Sequence, residues 1–159
     1  CMFGFFRPRP FSDPALGVFE RSRGRWRGNL VLAGKTLPLA VSGSRGGPDA
    51  EALAAAKLLP AAWSNDSEAV ARALVEHLEP YREAVAAGEV ELPTRPLPVF
   101  AHPSDIWRSV ELQSASVTPL AGKLISEVAL AATWDEEHTL GARFDHGAFV
   151  GLNGSILPE

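Results

Sequence analysis

Asp135, Glu136, Glu137 and His138 stand in a row within TWDEEHTLGARF, residues 133–144, and together offer three carboxylates and an imidazole. Such side chains could hold a metal ion or work as a general acid/base pair. Their spacing restricts both options. If the flanking strands continued through the segment, neighbouring residues would point to opposite faces and the four groups could not all converge. A helical His-Glu-x-x-His pair, which would set two imidazoles one turn apart, is absent. A tight turn could still bring two of the groups together, with His146 or His102 joining from elsewhere. The favoured reading is a structured turn in which a carboxylate accepts hydrogen bonds from free backbone N–H groups. The alternatives are a metal-dependent or acid/base centre on Asp135, Glu137 and His138, and a partner-binding loop. Trp134 continues the parity of Leu124, Val128, Leu130 and Ala132, which predicts an indole buried on their face.

The remaining reactive types are less suggestive. His77 falls on the apolar stripe of a predicted helix, where a packed, hydrogen-bonded imidazole is the expected state. His102 has no second histidine beside it. There is no G-x-S-x-G elbow, and SGSRGGP, residues 42–48, has neither the Walker ending nor the spaced glycines of a dinucleotide loop, so it reads as a strand-to-helix linker. Cys1 is the single cysteine and precedes Met2, an order suggesting a residue left by expression; no disulfide framework is possible within one chain. No catalytic residue, metal or cofactor is assigned.

Charge is unevenly divided. Residues 1–45 carry eight Lys/Arg against Asp13 and Glu20, and the remainder carries seven against seventeen, giving +6 and −10 within a total of −4. Arg7, Arg9, Arg21, Arg23, Arg25 and Arg27, interleaved with Phe5, Phe6, Phe11 and Trp26, permit a nucleic-acid reading, since guanidinium groups neutralise phosphates and aromatics stack on bases. The acidic whole and the absence of a nucleic-acid motif count against it. Alternation puts Arg25 and Arg27 on one side of their strand and Trp26 on the other, making Trp26 a core candidate and the two arginines binding candidates. The aromatic and basic residues 1–10 read as an arm that packs on the body or on a second chain, because exposed phenylalanines would form an adhesive patch.

The elements that must position these groups follow from the apolar pattern. With 46% hydrophobic and 21% charged residues and a mean hydropathy of +0.02, the 159-residue chain can bury a core as one domain, here residues 11–159. No apolar run reaches membrane-spanning length and no secretory signal is evident, which predicts a cytoplasmic protein. Residues 16–21, 25–32 and 36–42 read as an N-terminal meander, and residues 111–118, 124–133, 139–145 and 148–152 as a C-terminal one. Between them the pattern gives a helix ending at Pro60, a second from a cap at residues 65–67 to Gly88 with a kink or break at Pro80, a proline-rich connector, and a short helix capped by Ser104. For the turn FDHGAF, a three-residue loop is favoured over a two-residue His146-Gly147 loop, because it gathers Leu140, Ala142, Phe144, Ala148, Val150 and Leu152 on one face.

Three stretches, FSDPALGVFERSRGRWRGNL, LVEHLEPYREAVAAGE and TWDEEHTLGARFDHGAFVGLNGSIL, together resemble a family of small bacterial single-domain proteins of unknown function. That family pairs an N-terminal meander with central helices and a C-terminal W-D-x-E-H-x-L-G hairpin. The resemblance implies an intracellular α+β protein with no reaction attached to its motifs, and an immunity or accessory role in bacterial toxin systems. Trp134, Asp135, Glu137 and His138 match its pattern. The expectation is therefore an α+β fold, mainly antiparallel sheet with two or three central helices. Its function is non-enzymatic binding of a protein partner, with a homodimer through the aromatic arm also open.

Overall fold

The computed structural model describes residues 8–90 and 97–156. Most of residues 1–10, assigned to the arm, therefore lies outside the described residues, as do residues 91–96 of the proline-rich connector. The fold is α+β and mostly sheet, in the order β1 (Phe11–Asp13), β2 (Gly17–Ser22), β3 (Arg25–Leu32), β4 (Lys35–Val41), β5 (Gly43–Ser44), β6 (Gly47–Pro48), α1 (Ala50–Ala86), a 3₁₀ helix (Pro103–Ser109), β7 (Val110–Leu120), β8 (Lys123–Ala132), β9 (Asp135–Asp145) and β10 (Ala148–Gly154). The two meanders, β1–β4 and β7–β10, fuse into one eight-stranded sheet. Their junction is parallel, with Leu39, Ala40 and Val41 beside Ala115, Ser116 and Val117. A parallel pair needs a long crossover, and α1 lies within it.

Local chemistry sets the hairpins. Four two-residue turns end in glycine: Arg23-Gly24, Ala33-Gly34, Ala121-Gly122 and His146-Gly147. In each, both residues have positive φ, between 49° and 79°. This geometry matches the right-handed twist of the strands it joins. It also corrects the favoured loop at FDHGAF. Ala148 pairs with Asp145 and Phe149 with Phe144, so the loop has two residues. A bulge at Val150 then shifts the register and sets Leu152 against Ala142, so Phe149 and Leu152 pack on the core while Ala148 and Val150, expected on the same apolar face, are exposed.

The helices also differ from expectation. Neither Pro60 nor Pro80 ends a helix, and both lie inside the single 37-residue α1. Each interior proline costs roughly 3 kcal/mol. The stripe that α1 buries against the sheet, including Leu53, Leu59, Trp63, Val70, Leu74 and Leu78, gains about 1.5–3 kcal/mol per large side chain. Burial therefore outweighs both interruptions. The short helix is 3₁₀ and its cap is His102 rather than Ser104, with Pro103 in the first position and the Asp105 carboxylate accepting from the His102 N–H at 3.3 Å.

The core lies between α1 and one face of the sheet, where Phe19, Trp26, Leu39, Val117, Val128 and Phe144 are buried. Asp13 fastens one edge: its carboxylate accepts from the N–H groups of Ala15 and Leu16 and meets Lys57 of α1 at 2.9 Å.

Candidate functional site

The pairing of β8 with β9 explains how the acidic segment is built. Leu130 pairs with Leu140 and Ala132 with Asp135, so residues 136–139 stand opposite Ala131 alone. The chain bulges outward here, and a two-residue turn, Thr133-Trp134, closes the hairpin behind it. Strand alternation consequently does not hold across the segment, and groups three apart can meet. Asp135 Oδ1 lies 2.9 Å from His138 Nδ1.

Two side chains of α1 support the bulge. Trp134 is 7% exposed, buried as its parity predicts, and its indole N–H donates to His77 Nδ1 at 3.0 Å. Because His77 Nδ1 accepts, its ring proton sits on Nε2. One turn further along α1, the Tyr81 hydroxyl donates to Asp135 Oδ2 at 2.8 Å. Tyr81 also lies against the His77 ring, with centroids 5.6 Å apart.

These contacts fix the electrostatics. Burial pushes the Asp135 carboxyl up, but the hydrogen bonds from His138 and Tyr81 outweigh it and hold the group below the usual carboxylate range. Burial and the Asp135 carboxylate together push the Tyr81 phenol up to about 12. Through its hydrogen bond, the same carboxylate raises His138 above the ordinary imidazole value. Both Asp135 oxygens are thus engaged. What faces solvent is the far edge of the His138 ring, whose side chain is 68% exposed, together with the exposed Glu136 and Glu137. A shallow groove of about 440 Å³ runs alongside, lined by Arg108, Ser109, Gln113 and Thr133 among others.

The other sequence-derived candidates do not join this group. His102 caps the 3₁₀ helix, and His146 occupies the β9–β10 turn, about 30 Å away along β8 by strand rise. Among the described residues, no set of three or more His, Cys, Asp or Glu side chains is placed to hold a metal ion. Arg25 and Arg27 share the face of β3 turned away from α1, opposite Ser22 and Glu20. Partial burial and the neighbouring Arg27 lower the Arg25 pKa. Arg21 pairs with Trp26 and so lies on the opposite, α1-facing side. Trp26 is 1% exposed and donates to the Ser44 carbonyl at 2.8 Å, which removes it as a stacking surface for bases.

One buried acid escaped the sequence reading. Glu127, 1% exposed, projects from β8 on the face away from α1 and meets Arg143 Nε at 3.2 Å. It also accepts from the Ser155 hydroxyl and the Ile156 N–H, at 2.8 and 2.9 Å, and so ties down the chain that follows β10. Gly141 makes room for it: a Cβ there would stand 2.5 Å from the Glu127 carboxylate. The signal in the sequence was a lone charge in the apolar strand ISEVALAA.

Residues 16–154 match the model of a family described as a domain of unknown function (DUF6985), and the chain belongs to that family. No curated protein and no solved structure matches the chain. No helix of the described residues is long and apolar enough to cross a membrane.

Proposed function

We propose that this DUF6985 domain is a non-enzymatic binding protein that presents the β9 bulge to a protein partner, as an immunity or accessory component of a bacterial toxin system. One observation carries the reading: four residues oppose one in the β8–β9 pairing, and the bulge so formed is held from below by side chains of α1. A surface prepared in this way meets a partner with little ordering left to do, which favours affinity. Its exposed groups are two carboxylates and a protonatable imidazole, polar groups of the kind that fix register and orientation in an interface. The role in a toxin system rests on the resemblance of the W-D-x-E-H-x-L-G hairpin.

Affinity capture from extract of the source cell tests the binding claim, and co-expression of the captured protein with and without this domain tests the immunity claim. A retained protein whose toxicity the domain relieves is the expected result. Recovery of no specific protein would remove the support for both.

The 2.9 Å approach of Asp135 to His138 favours a second reading, acid/base chemistry on Asp135, Glu137 and His138; its metal-dependent version finds no set of three or more ligands among the described residues. A hydrolase and isomerase activity screen across pH separates it from the first reading, because a turnover abolished in His138→Ala belongs only to the second.

A further inference from the structure

At the other end of β8, a trough of about 520 Å³ opens between the N-terminal half of α1 and the β7–β8 and β9–β10 turns. This is the size of a small-molecule site. Ala55, Leu59 and Ala62 of α1 form one wall, and Leu124 and Phe144 of the sheet form the other. Into this apolar lining comes Ser126, from the α1-facing side of β8 and opposite Phe144. Ser126 is 8% exposed, and its hydroxyl has no hydrogen-bond partner among the described residues. The hydroxyl is not among the fully buried unpaired atoms and lines the trough, so it is open to a polar contact with whatever enters.

The rim decides the charge of the occupant. Lys123 Nζ and His146 Nδ1 both turn to the Asp145 carboxylate, at 3.4 and 2.6 Å, so the lysine charge is answered within the protein. Glu51, exposed at the mouth in the first turn of α1, has no ion-pair partner among the described residues. The uncompensated charge at the mouth is therefore negative.

We infer that this trough binds a small organic cation: an ammonium or amidinium head beside Glu51, an aliphatic or aromatic body between Leu59 and Phe144, and a polar atom on that body bonded to Ser126. The inference does not rest on the protein-binding reading, since the two sites occupy opposite ends of β8.

Two-dimensional amide NMR with tyramine as the probe tests it. Compared with tyramine are 2-phenylethylamine, which lacks the hydroxyl, and 3-(4-hydroxyphenyl)propionate, which reverses the head charge. Tyramine is expected to give saturable shifts confined to Ala55, Leu58, Ser126 and Gly147, and the propionate to bind about two- to fivefold more weakly, the scale of one solvent-exposed ion pair. Glu51→Gln should erase the preference for amine over acid, and Ser126→Ala should weaken tyramine while sparing 2-phenylethylamine. The same spectra show directly that each variant remains folded. The inference is overturned if tyramine gives no saturable shift, if its shifts scatter over the surface, if the propionate binds as tightly, or if Glu51→Gln leaves the preference intact.

Discussion

Asp135 governs the protonation of its neighbours, and the direction of each effect can be tested. His138 is raised, so its stabilising contribution is complete below the unfolded imidazole value and is lost as pH rises through the folded one. Asp135 is lowered, so its contribution is present above the unfolded carboxyl value and is lost as pH falls through the folded one. Both are in place from about pH 4 to about pH 6.5. Asp135→Asn should therefore destabilise the protein more at about pH 5.5 than at about pH 9 in chemical denaturation. In the same variant the His138 pKa, followed by NMR, should fall, and Tyr81 should titrate below its value of about 12. An unmoved His138 would sever the proposed link. The second residue-level test is Gly141→Ala, whose Cβ would collide with the Glu127 carboxylate. A loss of about 1–3 kcal/mol is expected from overpacking, and unchanged stability would show that Glu127 can move aside. At this scale strand parity correctly placed Trp26, Arg25 and Arg27, because a side chain's face depends only on its own strand, whereas Trp134 is buried as expected but sits in the β8–β9 turn, held by His77. Parity could not place His138 beside Asp135, since that meeting depends on how many residues of β9 face one residue of β8, a property of two strands together.

Among the elements, α1 is the least relaxed solution. Pro80 is exposed within it and contributes no buried contact to offset its missing N–H. Pro80→Ala should raise stability by about 1–3 kcal/mol in urea denaturation, and no gain would mean that the helix has already adjusted around the proline. Ala33 adopts φ 50° in the β3–β4 turn, a conformation that asparagine tolerates better than alanine. Ala33→Asn should add up to about 1 kcal/mol, read as a rise in Tm, while a fall would argue against the left-handed turn. The strands were legible because their alternation and their X-Gly turns are local signals. The continuity of α1 was not, because proline is a local signal overruled by burial of the whole stripe against a sheet drawn from both ends of the chain.

Across the molecule, the sequence pattern distinguished two meanders but not their fusion through the parallel β4–β7 pair, which joins residues more than seventy positions apart. That junction lets α1 lie across one face and carry His77 and Tyr81 to a hairpin near the C-terminus, and it so links the fold to the proposed function. The proposed binding surface is the β9 bulge. The most direct measurement is quantitative affinity capture from the source cell, comparing the wild-type domain with Glu136→Lys/Glu137→Lys. Both positions are exposed, so the substitutions leave the core and the Asp135 contacts in place. A partner retained by the wild type and depleted about tenfold or more by the charge reversal is the expected result, on the scale of lost charge complementarity at an interface. Capture of the same proteins in equal amounts by both forms, or of none by either, would contradict the claim.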